Sequence, residues 1–318
     1  MSGQRRRLSY MLYFIVNLHS KSGYAKVIWK QVKKELKKEN INYKVFFTEY
    51  KGHATWLAKE LTSNHQKLRL VVLGGDGTVN EVVGGILNFK NVTLGYIPTG
   101  SSNDLARSLR LPSSPKEAIF NILNPKYFVH LDIGEVKAKN KARRFIVSSG
   151  MGFDAAICQE ALDSQLKKTL NKLKLGKLTY VVLALKQIIM FQTVNVEVTI
   201  DETYKRNYKR IYFISSHIHK YEGGGLMLCP NASYQDGKID VCVVKNISKV
   251  KLLFFLPTAY FGKHTRFQAV DMMRCKKLRL KASKKLHVHT DGEIFGIQDE
   301  VLVHTLNEKL TMITGNIF

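Results

Sequence analysis

The sequence predicts an α/β domain with a parallel sheet, followed by an antiparallel, sandwich-like β-rich domain. Three observations point there. Strands alternate with helical segments up to about residue 130, short strands separated by turn signals dominate from there to about 305, and 318 residues suggest about two domains. The boundaries read as 1–130, completed by 306–318, and 131–305. A composition of 45% hydrophobic and 24% charged residues is that of a globular chain and excludes disorder.

Each element has its own signal. Residues 10–17, Tyr-Met-Leu-Tyr-Phe-Ile-Val-Asn, form a buried-strand run. Residues 24–39 carry Val27, Ile28, Val32 and Leu36 at helical spacing, with lysines on the other face. Lys44 to Phe47 is a second strand, Ala54 to Leu61 a second helix, and Leu68 to Leu73 a third strand. A helix from about Asn80, the strand Thr93 to Ile97 and a helix from Asn103 to Leu109 follow. Beyond residue 130, segments 131–136, 143–149, 194–200, 210–216, 239–244, 277–282, 286–290 and 301–305 read as short strands. A helical insert is expected near 155–191, and Leu310 to Ile313 closes the chain. There is no internal repeat and no low-complexity segment.

The longest apolar stretch, Leu178 to Phe191, is interrupted by Lys186 and Gln187 and falls short of the ~20 residues a membrane-spanning helix needs. Arg5-Arg6-Arg7 leads into a mixed segment that reads as a strand, not a secretory signal. Cys158, Cys229, Cys242 and Cys275 form no C-x-x-C pair, which argues against a zinc ribbon or disulfide framework. A reduced, cytoplasmic compartment is expected.

Charge is the unusual feature. Fifty Lys+Arg against 25 Asp+Glu give +25. The excess is even, +12 over residues 1–130 and +13 over 131–318, so it belongs to a folded surface and not to a tail. It points to an anionic partner, either a membrane surface, a nucleic acid or a phosphorylated substrate, or else to a solvated surface. Basic residues are not interleaved with aromatics in one segment and no nucleic-acid module is recognisable, so no nucleic-acid partner is expected.

Four polar loops follow the first four strands. Gly74-Gly75-Asp76-Gly77-Thr78, then Asn80-Glu81, joins a strand to a helix; such glycines let a backbone approach phosphate oxygens, which a helix N-terminus attracts. It lacks the Gly-Lys-Ser/Thr of a P-loop and the third glycine of a dinucleotide fingerprint. Pro98-Thr99-Gly100-Ser101-Ser102-Asn103-Asp104 makes the next such turn, where Asn103 or Asp104 serves as a ligand or as a helix N-cap. Asn17 to Gly23 and Thr48 to Ala54 complete the set at the carboxyl edge of the sheet. In the second half, Asp236-Gly237 and Asp291-Gly292 read as hairpin turns. His217-x-His219 and His287-x-His289 each share a strand face, but no third metal ligand is evident by spacing. The basic and apolar run Lys249 to His264 is either core or a lipid-headgroup contact.

These motifs together resemble the diacylglycerol kinase catalytic domain, above all the soluble bacterial lipid kinases, which are related to sphingosine kinases and distantly to NAD kinases. The resemblance extends through Gly223-Gly-Gly-Leu-Met-Leu-Cys-Pro230, Asp236-Gly237 and Asp291-Gly292-Glu293. It implies that Asn17, Ser22, Gly23 and Thr48 contact nucleotide. It implies that Gly74, Gly75, Asp76, Gly77, Thr78, Asn80, Glu81, Ser101 and Asn103 hold its phosphates and their metal. Asp104 and Asp132 would form a polar network, and Asp236 with backbone oxygens of Ser233 and Lys238 would bind a structural Mg²⁺. Glu293 or Asp291 would be the catalytic base, with Glu293 favoured for its reach. Two departures stand out: Ser101 replaces the usual Thr, and the longer first loop leaves the register of Ser20 and Ser22 open.

The expected activity is an ATP- and Mg²⁺-dependent lipid kinase that phosphorylates a neutral lipid, diacylglycerol giving phosphatidic acid, with the lipid entering between the domains. Peripheral docking on an anionic membrane is expected from the charge, and a homodimer is an admissible assembly. The alternatives are an NAD kinase-like phosphotransferase and, in another class, a basic nucleic-acid-binding protein.

Overall fold

The computed structural model describes residues 11–63, 67–163 and 176–316. The chain divides into two compact units, Met1–Leu131 with Glu308–Phe318, and Asp132–Asn307.

In the first unit, β1 (Leu12–Val16), α1 (Ala25–Lys38), β2 (Tyr43–Phe47), α2 (His53–Thr62), β3 (Leu68–Gly74), α3 (Asp76–Gly85), β4 (Val92–Pro98), α4 (Asp104–Ser108), α5 (Pro115–Leu123) and β5 (Tyr127–Leu131) follow in order, and β15 (Leu310–Thr314) returns from the far end of the chain. The sheet order is β2-β1-β3-β4-β15-β5. All pairings are parallel except β15 with β5. The central strands are apolar runs because helices cover both faces. On α1, Ile28, Val32 and Leu36 are buried as their spacing predicts, but Val27 is exposed and Trp29 takes its place against Phe14, Tyr43 and Phe47. Two elements escape the sequence reading. β5 has a half-buried pattern with little apolar contrast, and α5 follows the N-cap Ser114 with Pro115 at its first position.

The second unit is a bent antiparallel sheet with helices. Its elements are β6 (Gly134–Ala138), β7 (Lys141–Phe145), β8 (Ser148–Gly152), α6 (Phe153–Asp163), α7 (Gly176–Met190), β9 (Val194–Ile200), β10 (Tyr204–His217), β11 (Ile239–Lys245), α8 (Lys249–Ala259), β12 (Val270–Cys275), β13 (Lys277–Thr290) and β14 (Glu293–Thr305). The order is β12-β11-β10-β8-β13-β14-β6-β7. β9 pairs with one half of β10 and of β13, while β8 pairs with the other halves. Register shifts between Tyr208 and Ile211 and between Lys281 and Leu286 separate the halves. Such irregularities bend long strands and let one sheet fold over its own core. That core gathers Val196, Val198, Ile214, Val241, Leu278, Val288, Phe295 and Val303. The segments read separately as 277–282 and 286–290 are one strand, and β14 starts eight residues before the expected 301. β12 lies where no strand was expected, and the four cysteines are free thiols.

α2 and α3 pack so closely that a methyl group on Gly85 would lie 2.1 Å from the Thr55 carbonyl oxygen. Gly85→Ala should therefore destabilise the first unit by about 1–3 kcal/mol, as overpacked contacts do. Both tryptophans, Trp29 and Trp56, sit in this unit, so the urea midpoint of tryptophan fluorescence reads it directly. An unchanged midpoint would show that the helices separate at no cost.

Candidate functional site

The parallel register brings four strand ends to one edge of the first unit. Val16 lies beside Phe47 and Leu73, and Gly74 beside Pro98. The loops that follow are laced through the backbone: the N–H groups of Asn17, Thr48 and Thr99 donate to the carbonyls of Leu73, Val16 and Gly74. α3 starts at Asp76, four residues before the expected Asn80, so Asp76, Gly77 and Thr78 form its first turn. Thr78 N–H donates back to Gly75 O at 2.9 Å, and the positive end of the α3 dipole lies at this turn, where it favours an anion.

Two loops touch back to back. A side chain on Gly100 would place its Cβ 2.8 Å from Gly75 Cα, and one on Gly74 would meet Thr78 Cβ at 2.6 Å. Asn103, in the left-handed region at φ 51°, closes its own loop. Its Oδ1 accepts from Gly100 N–H at 2.8 Å and its Nδ2 donates to Gly100 O at 3.0 Å. Asn103 is thus a loop-closing residue at the N-cap position of α4, where its side chain makes no capping hydrogen bond.

Side chains knit this edge together. Asn17 Nδ2 donates to Thr78 Oγ1 at 3.1 Å, and the Ser20 and Thr99 hydroxyls share a hydrogen bond. Ser20 is therefore the hydroxyl of the first loop that faces Thr99, while the Ser22 side chain lies outside the described residues. Thr99 and Tyr96 are participants the sequence reading missed; both sit on or beside an apolar strand and resemble core. Tyr96 is buried and hydrogen-bonded to Asp76. Burial, Asp76 and Asp104, in that order, raise its pKa well above the ordinary tyrosine value, so it stays protonated and donates. Asp76 Oδ2 also accepts from Asp104 N–H at 3.1 Å, and Asp104 itself holds Arg107 at 3.0 Å. Gly75, Asp76 and Gly77 remain half-exposed, and so do Gly23, at φ +88°, and Thr48. Asn80 is buried, and Ser101 is exposed at the turn.

Glu81 is a correction. Its carboxylate accepts from the N–H groups of Gly52 at 2.9 Å and Ala54 at 3.3 Å, at the N-terminus of α2. An acid there is stabilised by the helix dipole, so Glu81 braces the loop after β2 and is turned away from any phosphate role.

In the second unit, Asp291 and Gly292 take φ 49° and 77° between Thr290 and Glu293, which pair across the hairpin. That is the two-residue turn its Asp-Gly signal predicts. The Asp291 carboxylate accepts three backbone N–H groups, from Ile146 and Val147 at 2.8 Å and Ser148 at 2.9 Å. It is committed to anchoring the turn, which corrects its candidacy as a base. Positive φ at the turn also breaks the strand alternation that would set it on the same side as Glu293. His289 adjoins the same turn: Gly292 N–H donates to its Nδ1, and its Nε2 lies 3.3 Å from Asp154 Oδ2. Burial opposes its charge, but Asp154, Glu222 and Asp291 outweigh that and raise its pKa.

Asp132 is fully buried and accepts from Gly237 N–H at 2.7 Å, while Thr305 Oγ1 donates to Gly237 O at 3.0 Å. Both hold the 236–237 turn. Asp236 Oδ1 accepts from Lys238 N–H, and its Oδ2 lies 3.6 Å from Arg274, whose guanidinium also binds Asp240. A guanidinium already faces this carboxylate, so a Mg²⁺ held by Asp236 with the backbone oxygens of Ser233 and Lys238 would have to displace that ion pair. Among the described residues, no three His, Cys, Asp or Glu side chains group to hold a metal, the paired histidines included.

His219 is fully buried, stacked on Tyr234 at 4.8 Å, with no hydrogen bond to either ring nitrogen among the described residues. Burial, with His217 beside it, lowers its pKa to about 3. The folded ring stays neutral while the unfolded one takes up a proton below its ordinary pKa of about 6.5, so stability falls as pH drops through that value. The loss should reach about 2 kcal/mol by pH ~5, and His219→Phe should abolish it. The raised His289 works oppositely, its contribution present at low pH and lost as pH rises through its raised pKa. Thermal unfolding of both proteins against pH checks this; identical acid slopes would show that His219 is not neutral when folded.

Comparison with known proteins agrees with the two-part α/β and β-rich fold. Residues 11–136 match the diacylglycerol kinase catalytic domain family, and residues 147–313 match the YegS C-terminal NAD kinase beta sandwich-like domain family. A Bacillus subtilis protein provisionally named lipid kinase YtlR is 29% identical over 290 residues, covering 89% of this chain and 93% of its own. A Bacillus subtilis diacylglycerol kinase is 27% identical over 252 residues, 77% of each chain. The crystal structure of a provisionally assigned diacylglycerol kinase from Bacillus anthracis superposes with a TM-score of 0.75 at 23% identity, over 96% of this chain and 95% of that one. An NAD kinase from Archaeoglobus fulgidus in complex with ATP is more distant, at TM-score 0.53 and 12% identity over 96% and 94%, a likeness of fold alone.

Proposed function

The chain belongs to the family that joins a diacylglycerol kinase catalytic domain to a YegS-type C-terminal β-sandwich-like domain, and from that membership we propose that it transfers the γ-phosphoryl group of ATP to the hydroxyl of a neutral lipid, diacylglycerol first. The observation that carries this reading is the edge where Gly75 and Gly100 abut beside the first turn of α3. Without side chains at that contact, a polyphosphate reaches backbone N–H groups directly, with Asn17, Ser20, Thr78 and Thr99 at its rim.

Phosphoryl transfer depends on positioning and on charge neutralisation more than on covalent chemistry. Backbone dipoles at the α3 N-terminus supply fixed positive potential without reorganising. Mg²⁺ would arrive with the nucleotide and offset its charge, and the half-exposed Asp76 is the carboxylate suited to meet it. Tyr96 and Asp104 N–H hold Asp76 in one orientation. Glu293 is proposed to take the proton of the lipid hydroxyl. It is half-buried at the first position of β14, next to a turn that Asp291 makes rigid. A lipid acceptor resides in a bilayer, so peripheral docking of this +25 chain on an anionic, cytoplasmic membrane face is part of the proposal.

Incubation with γ-labelled ATP, Mg²⁺ and a lipid panel tests it: label should pass to diacylglycerol. Asp76→Ala should abolish transfer with the fold retained, and label transfer at the normal rate by that variant would sink the assignment. Glu293→Gln should keep nucleotide affinity and stability while turnover falls by about 10²–10⁴, the usual worth of a general base. Asp291→Asn should instead lose stability and activity together. A stable, inactive Asp291→Asn beside a normal Glu293→Gln would reverse the two roles.

A further inference from the structure

The second unit presents an apolar face that its own core does not use. On α8, Leu252, Phe255 and Ala259 are buried, packed in the cluster that holds Tyr212, Phe213 and Val270. The other side bears Val250, Phe254 and Phe261, and the latter two are 73% and 72% exposed. Their spacings of four and seven keep them on one face, because the helical turn continues past Ala259 through Phe261 N–H to Thr258 O and Gly262 N–H to Ala259 O. Lys249 Nζ donates to Ile189 O, which ties the start of α8 to the last turn of α7. Ile189 and Met190 there are 70% and 63% exposed. Single exposed apolar residues are ordinary, but five so exposed in one neighbourhood mark a contact surface.

Charge identifies the partner. Lys249, Lys251, Lys263 and Arg266 flank the patch, and the stretches 176–193 and 245–270 contain no Asp or Glu. A second copy related by a two-fold axis would set these cations against themselves with no acid in the segment to meet them. The basic face of α1, by contrast, interleaves Glu35 and Glu39 and exposes no such cluster. Aromatic and aliphatic tips ringed by lysines match the boundary between acyl chains and anionic headgroups, where the stems of lysines lie along apolar surface and the amines reach phosphate. We propose that α8 and the end of α7 form a membrane-docking face that inserts Phe254, Phe261, Val250, Ile189 and Met190 into an anionic bilayer. Of the two readings of the Lys249 to His264 run, core holds for one side of α8 only. The proposal rests on the lipid-kinase reading only for the location of the substrate.

The test is co-sedimentation with vesicles of phosphatidylglycerol in phosphatidylcholine, and of phosphatidylcholine alone, at low and high salt. Wild type should bind the anionic vesicles. The double variant Phe254→Ser with Phe261→Ser should lose roughly tenfold or more of that binding at either salt. Lys251→Gln with Lys263→Gln should lose binding chiefly at low salt, where charge is least screened. Lys33→Gln with Lys37→Gln on α1 should change it much less. The same proteins are assayed with a short-chain diacylglycerol in detergent micelles, where the serine variant should retain wild-type activity, which also shows that it folds. Normal vesicle binding by that variant overturns the proposal. So does a stable dimer of the wild type that the same variant dissociates, since the face would then belong to a second copy. Wild type that phosphorylates the micellar lipid but ignores vesicles overturns the docking face alone. Wild type that docks through this face but phosphorylates no lipid upholds the face and removes the kinase reading.

Discussion

Gly75 and Gly100 pass so close that only hydrogen fits between their backbones, and the first unit's candidate site is arranged around that contact. Each glycine lies in the loop after a different parallel strand. Their approach pulls two strand-to-helix loops into one surface, and Thr99 N–H to Gly74 O, at 2.7 Å, seals it. Asn103 adopts a left-handed conformation so that its amide can close the second loop from within. Asp76 then reaches Asp104 N–H and Tyr96 from the other loop. The outcome is one continuous backbone edge, with acids and hydroxyls held in place around it.

The second unit relies on a different device. Asp291 gathers three N–H groups from the 146–148 segment, so a hairpin tip is stitched to the start of β8. A partly buried carboxylate gains from such partners, because an ionised group withdrawn from water is costly unless it is hydrogen-bonded. Glu293 follows one residue past the turn, half-buried at the first position of β14. Asp132 and Thr305 perform a comparable service for the 236–237 turn. Asp291-Gly292 is therefore the hairpin turn its residues announce, whereas Asp236-Gly237 is a bend ahead of β11 with no strand directly before it, so the hairpin reading fails there.

Much of this was legible in the chain. Alternating strands and helices, the two glycine loops and the Asp291-Gly292 hairpin turn are local signals, and each appears where its residues say. What was misread depended on partners distant in sequence. Glu81 looks like part of a phosphate loop until Gly52 and Ala54, 29 and 27 residues away, claim its carboxylate. Asp236 looks like a metal ligand until Arg274 faces it. Tyr96 and Thr99 look like strand residues because nothing local distinguishes a buried hydroxyl that hydrogen-bonds an acid from one that merely packs. Helix α8 is apolar on every side, so periodicity could not separate its buried face from its exposed one.

By itself, then, the sequence determined the class of fold, the two-part organisation and the identity of the loops that meet at the sheet's edge. Those follow from propensity, periodicity and glycine spacing, which act within a few residues. Tertiary structure alone decided which carboxylates are committed to helix ends, turns or guanidinium groups. It also decided that β15 runs between β4 and β5 and which side of α8 is left to solvent. The physical reason is that a charge is assigned by whatever donor lies within about 3 Å of it, and that donor comes from wherever the fold brings the chain.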